Sequence, residues 1–163
     1  MEQNNLTKLQ MPPLNLRPTV FCLIVSLSKN TNDEIMVENG SRLVGGGRET
    51  GETPEEACIR EIEEETEGQI SINKDKLHFF REIEFQTSKF FTDGQYWGGK
   101  KGSVFIYEYD SKLFAGVEAT EAGIPHGKLS WRDLDEFFTI NSDIDKEEFE
   151  QFCRDNNLPL KSK

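Results

Sequence analysis

An α/β domain is the fold class this sequence predicts, and three stretches predict it. Thr19–Ser28 is a continuous apolar, β-prone run; Gly45–Gly68 joins a glycine loop to a helix crowded with carboxylates; Ser103–Asp110 alternates as a strand. A chain of 163 residues fits one such domain with a sizeable core. Residues 1–17, rich in Asn, Gln and Pro with isolated leucines, read as an extended lead-in, and 18–163 as the single domain.

Taken in order, Thr19–Ser28 reads as a buried strand ending in the turn-forming run Lys29-Asn30-Thr31-Asn32-Asp33. Glu34–Glu38 is its expected partner, Asn39-Gly40 a hairpin turn, and Ser41–Val44 a short strand into Gly45-Gly46-Gly47. Consecutive glycines let a backbone approach a ligand closely. Thr53 then suits an N-cap, Pro54 the first helical position and Glu56 the closure of a capping box, so a helix should run to about Thr66.

Beyond the helix, Gln69–Ile72 is briefly β-prone, Asn73-Lys74-Asp75 is a turn, and Leu77–Phe91 holds one or two strands. Thr92–Gly102 carries turn chemistry at both ends and precedes the strand at Ser103–Asp110. Leu113–Leu129 reads as irregular, with the length of a functional loop, and Trp131 begins or closes a short strand. Arg132–Phe138 and Asp145–Asp155 read as two helical pieces, with Ile144, Phe149 and Phe152 docking on the sheet.

The chemistry concentrates on the central helix. At 100° per residue Glu61, Glu64 and Glu65 project at roughly 0°, −60° and +40°, one face within an arc of about 100°. Cys58, Ile62 and Thr66 recur at i, i+4 and i+8 on another face, an apolar stripe that fixes which way the glutamates point. An isolated run of this kind is most simply a solvated acidic face with Arg60 as charge partner. Beside a glycine loop, a three-carboxylate face instead suits a hard divalent cation that bridges protein oxygens to substrate phosphates.

In this stretch the sequence resembles the Nudix hydrolase family, whose signature is G-x5-E-x7-R-E-U-x-E-E-x-G-U with U a bulky aliphatic residue. Gly46, Glu52, Arg60, Glu61, Ile62, Glu64 and Glu65 match in register. Two positions depart. Glu67 stands where the signature has glycine, with Gly68 in the aliphatic place after it, and Val44 stands where many members have proline. On this reading the helix runs one residue longer, with Gly68 as its left-handed cap.

The resemblance implies an α/β/α sandwich with a mixed, partly antiparallel sheet and a catalytic helix after the glycine loop. It implies hydrolysis of a nucleoside diphosphate linked to another group, with Mg²⁺ or Mn²⁺ held by Glu61, Glu64 and Glu65. Glu52 and Arg60 would form a buried pair orienting loop against helix, and Gly46 would leave room for the diphosphate. Water would attack one phosphorus while a carboxylate assists proton removal. Many members add an acidic residue from a late loop, for which Glu118 and Glu121 are the candidates here.

Substrate clues are sparser. Tyr96 and Trp97 could stack on a base, and Arg48, Lys100 and Lys101 could meet phosphates, against the plainer reading of packing aromatics and solvated cations. His126 in the late loop and His78 in a strand-like run are each more simply incidental. The proline some fifteen residues past the signature in ADP-ribose hydrolases and the SQPWPFPxS array of NADH hydrolases are absent. The triple glycine followed by Arg48 resembles diphosphoinositol polyphosphate hydrolases, a reading ranked below nucleotides because the chain carries a net charge of −11.

That charge also argues against broad binding to nucleic acid or an anionic membrane. Cys22, Cys58 and Cys153 are scattered and odd in number, unlike a disulfide framework or metal finger, and fit reduced structural thiols. No leader-like apolar region or membrane span is visible, so a cytoplasmic setting is expected. The leading reading is a Mg²⁺-dependent diphosphatase for a nucleoside triphosphate, nucleotide sugar, dinucleotide or capped RNA end. The alternatives are a Nudix-fold binding module without turnover and a plain acidic structural domain. A homodimer is expected by family analogy only.

Overall fold

The structure, a computed structural model, describes residues 15–27, 33–113, 118–121 and 124–160, and for 112, 118–121 and 124–128 the backbone alone. Strand β1, Leu16–Ser26, is the spine of a seven-stranded mixed sheet. One edge pairs in parallel with β5, Gln95–Glu108, from Leu16↔Gly99 to Val25↔Glu108. The other edge is shared: Thr19 to Cys22 pair with β3, Val44–Gly47, and Val25 and Ser26 with β2, Glu34–Glu38, both antiparallel.

Outside these lie β4, His78–Thr92, against β5, and the hairpin of β6, Glu118–Glu121, and β7, Ile124–Asp133, against β2. Alternation along β1 sends its side chains to two cores. Val20, Cys22 and Ile24 meet Ala57, Cys58 and Ile62 of helix α1, Pro54–Glu65. Leu23 and Val25 meet Phe137 of α2, Leu134–Ile140, and Phe149 and Cys153 of α3, Lys146–Asp155. Helices thus cover both faces, the expected α/β/α sandwich. Each fully buried aliphatic or aromatic side chain contributes roughly 1.5–3 kcal/mol of transfer free energy.

Four sequence expectations are corrected. Leu16 and Arg17, read as lead-in, already belong to β1, because parallel pairing with β5 extends back to Gly99. The turn-rich 92–102 stretch is strand: only Asp93 and Gly94, at φ 55° and 77°, turn the chain, and β5 starts at Gln95. Its glycines are packing sites, since a Cβ on Gly102 would lie 2.6 Å from the Phe21 ring. The 113–129 stretch holds β6 and most of β7. Arg132 ends in β7 opposite Ile35, so the following helix begins at Leu134. Ile144 and Phe149 are buried as expected, with Phe152 packed beside them.

Helix α1 is entered as the sequence predicts. The Glu56 amide donates to Thr53 Oγ1 at 3.1 Å and the Thr53 amide donates to Glu56 Oε1 at 2.9 Å, a capping box worth about 1 kcal/mol. Its exit differs. The helix does not lengthen; it ends at Glu65 with Thr66 as C-cap. The Glu67 amide donates to Glu64 O at 3.2 Å and the Gly68 amide to Glu63 O at 2.8 Å, a Schellman closure with Glu67 itself left-handed at φ 52°. Glu67 therefore adopts the backbone that the signature reserves for glycine, and Gly68 follows at φ 79°.

Candidate active site

β3 delivers its glycines edge-on between two layers. Successive residues face opposite sides of the sheet, and Gly46 faces α1: a Cβ there would lie 2.5 Å from the Glu61 carboxylate. Glu61 packs on bare backbone, which explains the glycine. Gly47 faces the other way, where a Cβ would overlap the Arg17 guanidinium.

Arg60 binds the loop to the helix. Its Nε donates to Glu52 Oε2 at 2.7 Å and one terminal nitrogen to Glu52 Oε1 at 3.0 Å and Gly47 O at 2.9 Å. The other terminal nitrogen lies 3.1 Å from Glu61 Oε1 and 3.3 Å from Glu64 Oε1. The Glu49 amide donates to Glu52 Oε1 at 2.8 Å, and Glu49 Oε1 lies 3.8 Å from Arg60. Hydrogen bonding to Arg60 holds the Glu52 carboxyl below its usual range, and Glu52 in turn keeps Arg60 firmly protonated.

The three glutamates share the face that helical geometry predicts, with graded access. Glu65 is buried, the Glu61 side chain is 13% exposed and that of Glu64 is 50% exposed. Glu63 and Glu67 are solvent-exposed. Among the described residues no group of three or more His, Cys, Asp or Glu side chains is drawn together as a metal site. One Arg60 nitrogen does draw Glu61 and Glu64 toward each other.

The remaining candidates scatter. Arg48 is exposed, its amide donating to Pro18 O at 3.0 Å. Trp97 is 8% exposed and donates from Nε1 to Thr92 O at 3.0 Å, so it braces the β4–β5 hairpin. Tyr96, 59% exposed, pairs edge-on with Phe91 at 4.9 Å beneath Lys89. Lys100 is opposite Arg17 in register and shares its side of the sheet, away from α1, whereas Lys101 points to the α1 side, 3.8 Å from Glu82. His78 packs edge-on against Phe152. Glu118, Glu121 and His126 fall on β6 and β7, and their side chains lie outside the described residues. Arg17 was missed: nothing near it in sequence marks it, and only β1–β3 pairing brings it to the glycine loop.

Comparison with known proteins bears on this arrangement. The model of the NUDIX domain matches residues 18–152, most of the chain and every residue of the loop and helix just described. The chain belongs to the Nudix family. No curated protein matches it. Among solved structures it is similar to a MutT/nudix family protein from Enterococcus faecalis, at 17% identity and TM-score 0.50 over 80% of this chain. It spans about half of that protein, 49%. The E. coli dihydroneopterin triphosphate pyrophosphohydrolase gives 18% and 0.52, covering 86% of this chain and 97% of that one. The Nudix domain of Shewanella oneidensis NrtR, solved with ADP ribose, gives 13% and 0.54, covering 96% and 98%. At these identities the structural likeness shows the shared fold alone. Among the described residues no helix is long and apolar enough to cross a membrane.

Proposed function

We propose that this Nudix protein is a pyrophosphohydrolase that cleaves the diphosphate of a nucleoside diphosphate linked to a further group. The observation that carries the reading is the join of loop and helix. Arg60 grips Glu52, Gly47 O, Glu61 and Glu64 together while Glu61 lies on Gly46, so the glycine loop and the carboxylates are held as one unit.

A divalent cation, Mg²⁺ or Mn²⁺, belongs to the reading. The donor set fits, because Glu61, Glu64 and Glu65 offer only carboxylate oxygens, the ligands hard cations prefer. When bound, the cation would neutralise charge on phosphate oxygens and acidify water. The chain's own residues do the rest. Gly46 lets the Glu61 carboxylate lie against β3, and the Arg60–Glu52 pair holds the loop at a set distance from α1. Water attacks one phosphorus, an α1 carboxylate accepts its proton, and the anhydride P–O bond breaks to leave two phosphate products. Glu61 and Glu64 would hold the cation in place of their contacts with Arg60, which has Glu52 and Gly47 O as its other partners.

Three buried free thiols agree with a reducing, cytoplasmic setting. A homodimer enters the reading by family analogy alone. The test is a panel of nucleoside triphosphates, nucleotide sugars, dinucleotides and capped RNA with Mg²⁺, read by product identity. Wild type should release mononucleotide or phosphate products from at least one, and Glu64→Gln should lose that activity while staying folded. Undiminished turnover in Glu64→Gln refutes the carboxylate assignment, and a silent wild type that still binds nucleotide points to a binding module.

A further inference from the structure

Beside the β4–β5 hairpin, an open cleft of ≈ 390 Å³ is lined by Arg17, Thr87, Ser88, Phe90, Thr92 and Lys100. That volume is in the range of small-ligand sites. Three local features build it. Between the pairs Gln86↔Gly99 and Phe90↔Trp97, β4 has three residues where β5 has one, and this bulge takes Thr87 and Ser88 out of the ladder. Parallel pairing sets Arg17 beside Lys100, two cations side by side on one face. The Asp93-Gly94 turn brings Asp93 Oδ2 within 2.8 Å of Arg17 Nε, which leaves the guanidinium's outer edge over Gly47.

This arrangement lacks charge balance. Among the described residues Asp93 is the one acidic group paired with Arg17, and Lys100 has no carboxylate within ion-pair distance; the Phe90 ring lies 6.0 Å from its Nζ. Adjacent like charges on a sheet face repel. Burial, then the neighbouring Arg17 and Arg42, lower the Lys100 pKa. In a chain of net charge −11, two such cations beside three hydroxyls are a local reversal of sign.

We propose that Arg17 and Lys100 form an anion subsite that holds a phosphate of the ligand's distal group, the part beyond the scissile diphosphate. Gly47 is the link. Arg17 covers it on one face, while Arg60, which holds the catalytic carboxylates, takes its carbonyl. On this proposal a ligand held at the α1 carboxylates reaches past Gly47 to the two cations on the opposite face of the sheet. Ser88 and Thr92 line the same cleft with hydroxyls that can donate to that phosphate, whereas the Thr87 hydroxyl donates to Ser88 O at 3.0 Å. Preferred substrates therefore carry a charged distal group, as a nucleoside triphosphate does, rather than a neutral sugar.

The proposal rests on the diphosphatase reading only for the ligand's identity, and its first test needs no turnover. Inorganic pyrophosphate is titrated into the full chain in EDTA by calorimetry, where the α1 carboxylates repel it. Lys100→Met and Arg17→Gln should each weaken binding by about tenfold or more, and Lys100→Arg should restore it to within about threefold. Pyrophosphate that fails to bind wild type, or binds folded variants equally well, overturns the subsite. In turnover, Lys100→Met should raise the ratio of KM for a nucleoside triphosphate over KM for a nucleotide sugar by about fivefold or more. An equal rise for both substrates overturns the assignment to a distal phosphate. Lys100-dependent binding without turnover on any substrate sinks the diphosphatase reading and leaves the subsite standing.

Discussion

Arg60 holds Glu52 through two parallel hydrogen bonds, Nε to Oε2 at 2.7 Å and a terminal nitrogen to Oε1 at 3.0 Å, across eight residues that span the end of the glycine loop and the first turns of α1. A lysine can supply one such bond, not a fork. Arg60→Lys should therefore cost about 1–3 kcal/mol in urea unfolding, and kcat should fall by about tenfold or more as the loop loses its set distance from α1. Turnover equal to wild type would show that the pair is dispensable for positioning.

The same pair carries a pH signature. Hydrogen bonding to Arg60 lowers the Glu52 pKa from its ordinary value of 4.5, so the folded state binds the proton less readily than the unfolded chain. Its stabilisation is fully present above the ordinary value and is lost as pH falls through the depressed one. The stability difference between wild type and Glu52→Gln should be constant from neutrality to about pH 5 and shrink below about pH 4. A difference that grows on acidification would reverse the sign of this linkage.

Glu67 sits at φ 52° in the Schellman closure, a conformation that costs a residue with a Cβ roughly 1 kcal/mol. Glu67→Gly should raise the urea midpoint by an amount equal to about 0.5–1 kcal/mol, with the slope unchanged. Activity should stay near wild type, because Glu67 is exposed and has no role in the proposed site. Destabilisation would mean that Glu67 makes contacts worth more than its strain.

Gly46→Ala is the steric counterpart. A Cβ there would stand 2.5 Å from the Glu61 carboxylate, which must swing away from the loop. Catalysis should drop by about tenfold or more while the melting temperature shifts by only a few degrees, about 1 kcal/mol. The informative contrast is Gly51→Ala. A Cβ on Gly51 meets nothing within 4 Å, but its φ of 88° strains any side chain, so stability falls with much less effect on kcat.

Chelation should abolish turnover, and added Mg²⁺ should restore it and raise the melting temperature. Glu64→Gln should increase the Mg²⁺ concentration for half-maximal thermal shift by about tenfold or more, as expected for loss of a charged ligand. A shift identical to wild type would remove Glu64 from the cation site.

The loop–helix unit was legible because its parts are local. Capping box, apolar stripe and carboxylate face all follow from one helical period between Thr53 and Thr66. Turn chemistry at both ends of Thr92–Gly102 was legible too, but the structure turns only at Asp93-Gly94. The meaning of the later glycines lies in Phe21, Leu16 and the Phe85 carbonyl, which crowd Gly102 and Gly99 from distant parts of the chain. Glu67 shows the reverse case. The departure from glycine suggested a longer helix, yet closure of the last turn by the Glu67 and Gly68 amides prevailed over the preference of a side chain for negative φ.

Residues at fixed separations along one helix carry their geometry in the sequence, and so the sequence alone determined the family, the fold class and the shared helix face of Glu61, Glu64 and Glu65. The placement of Arg17 beside Lys100 and Gly47 came only from tertiary structure. It depends on the register of β1 against β3 and β5, and a slip of one residue would turn each of those side chains to the other face. Burial of Val20, Cys22 and Ile24 under α1 and of Leu23 and Val25 under α2 and α3 sets that register, through contacts between parts of the chain far apart in sequence.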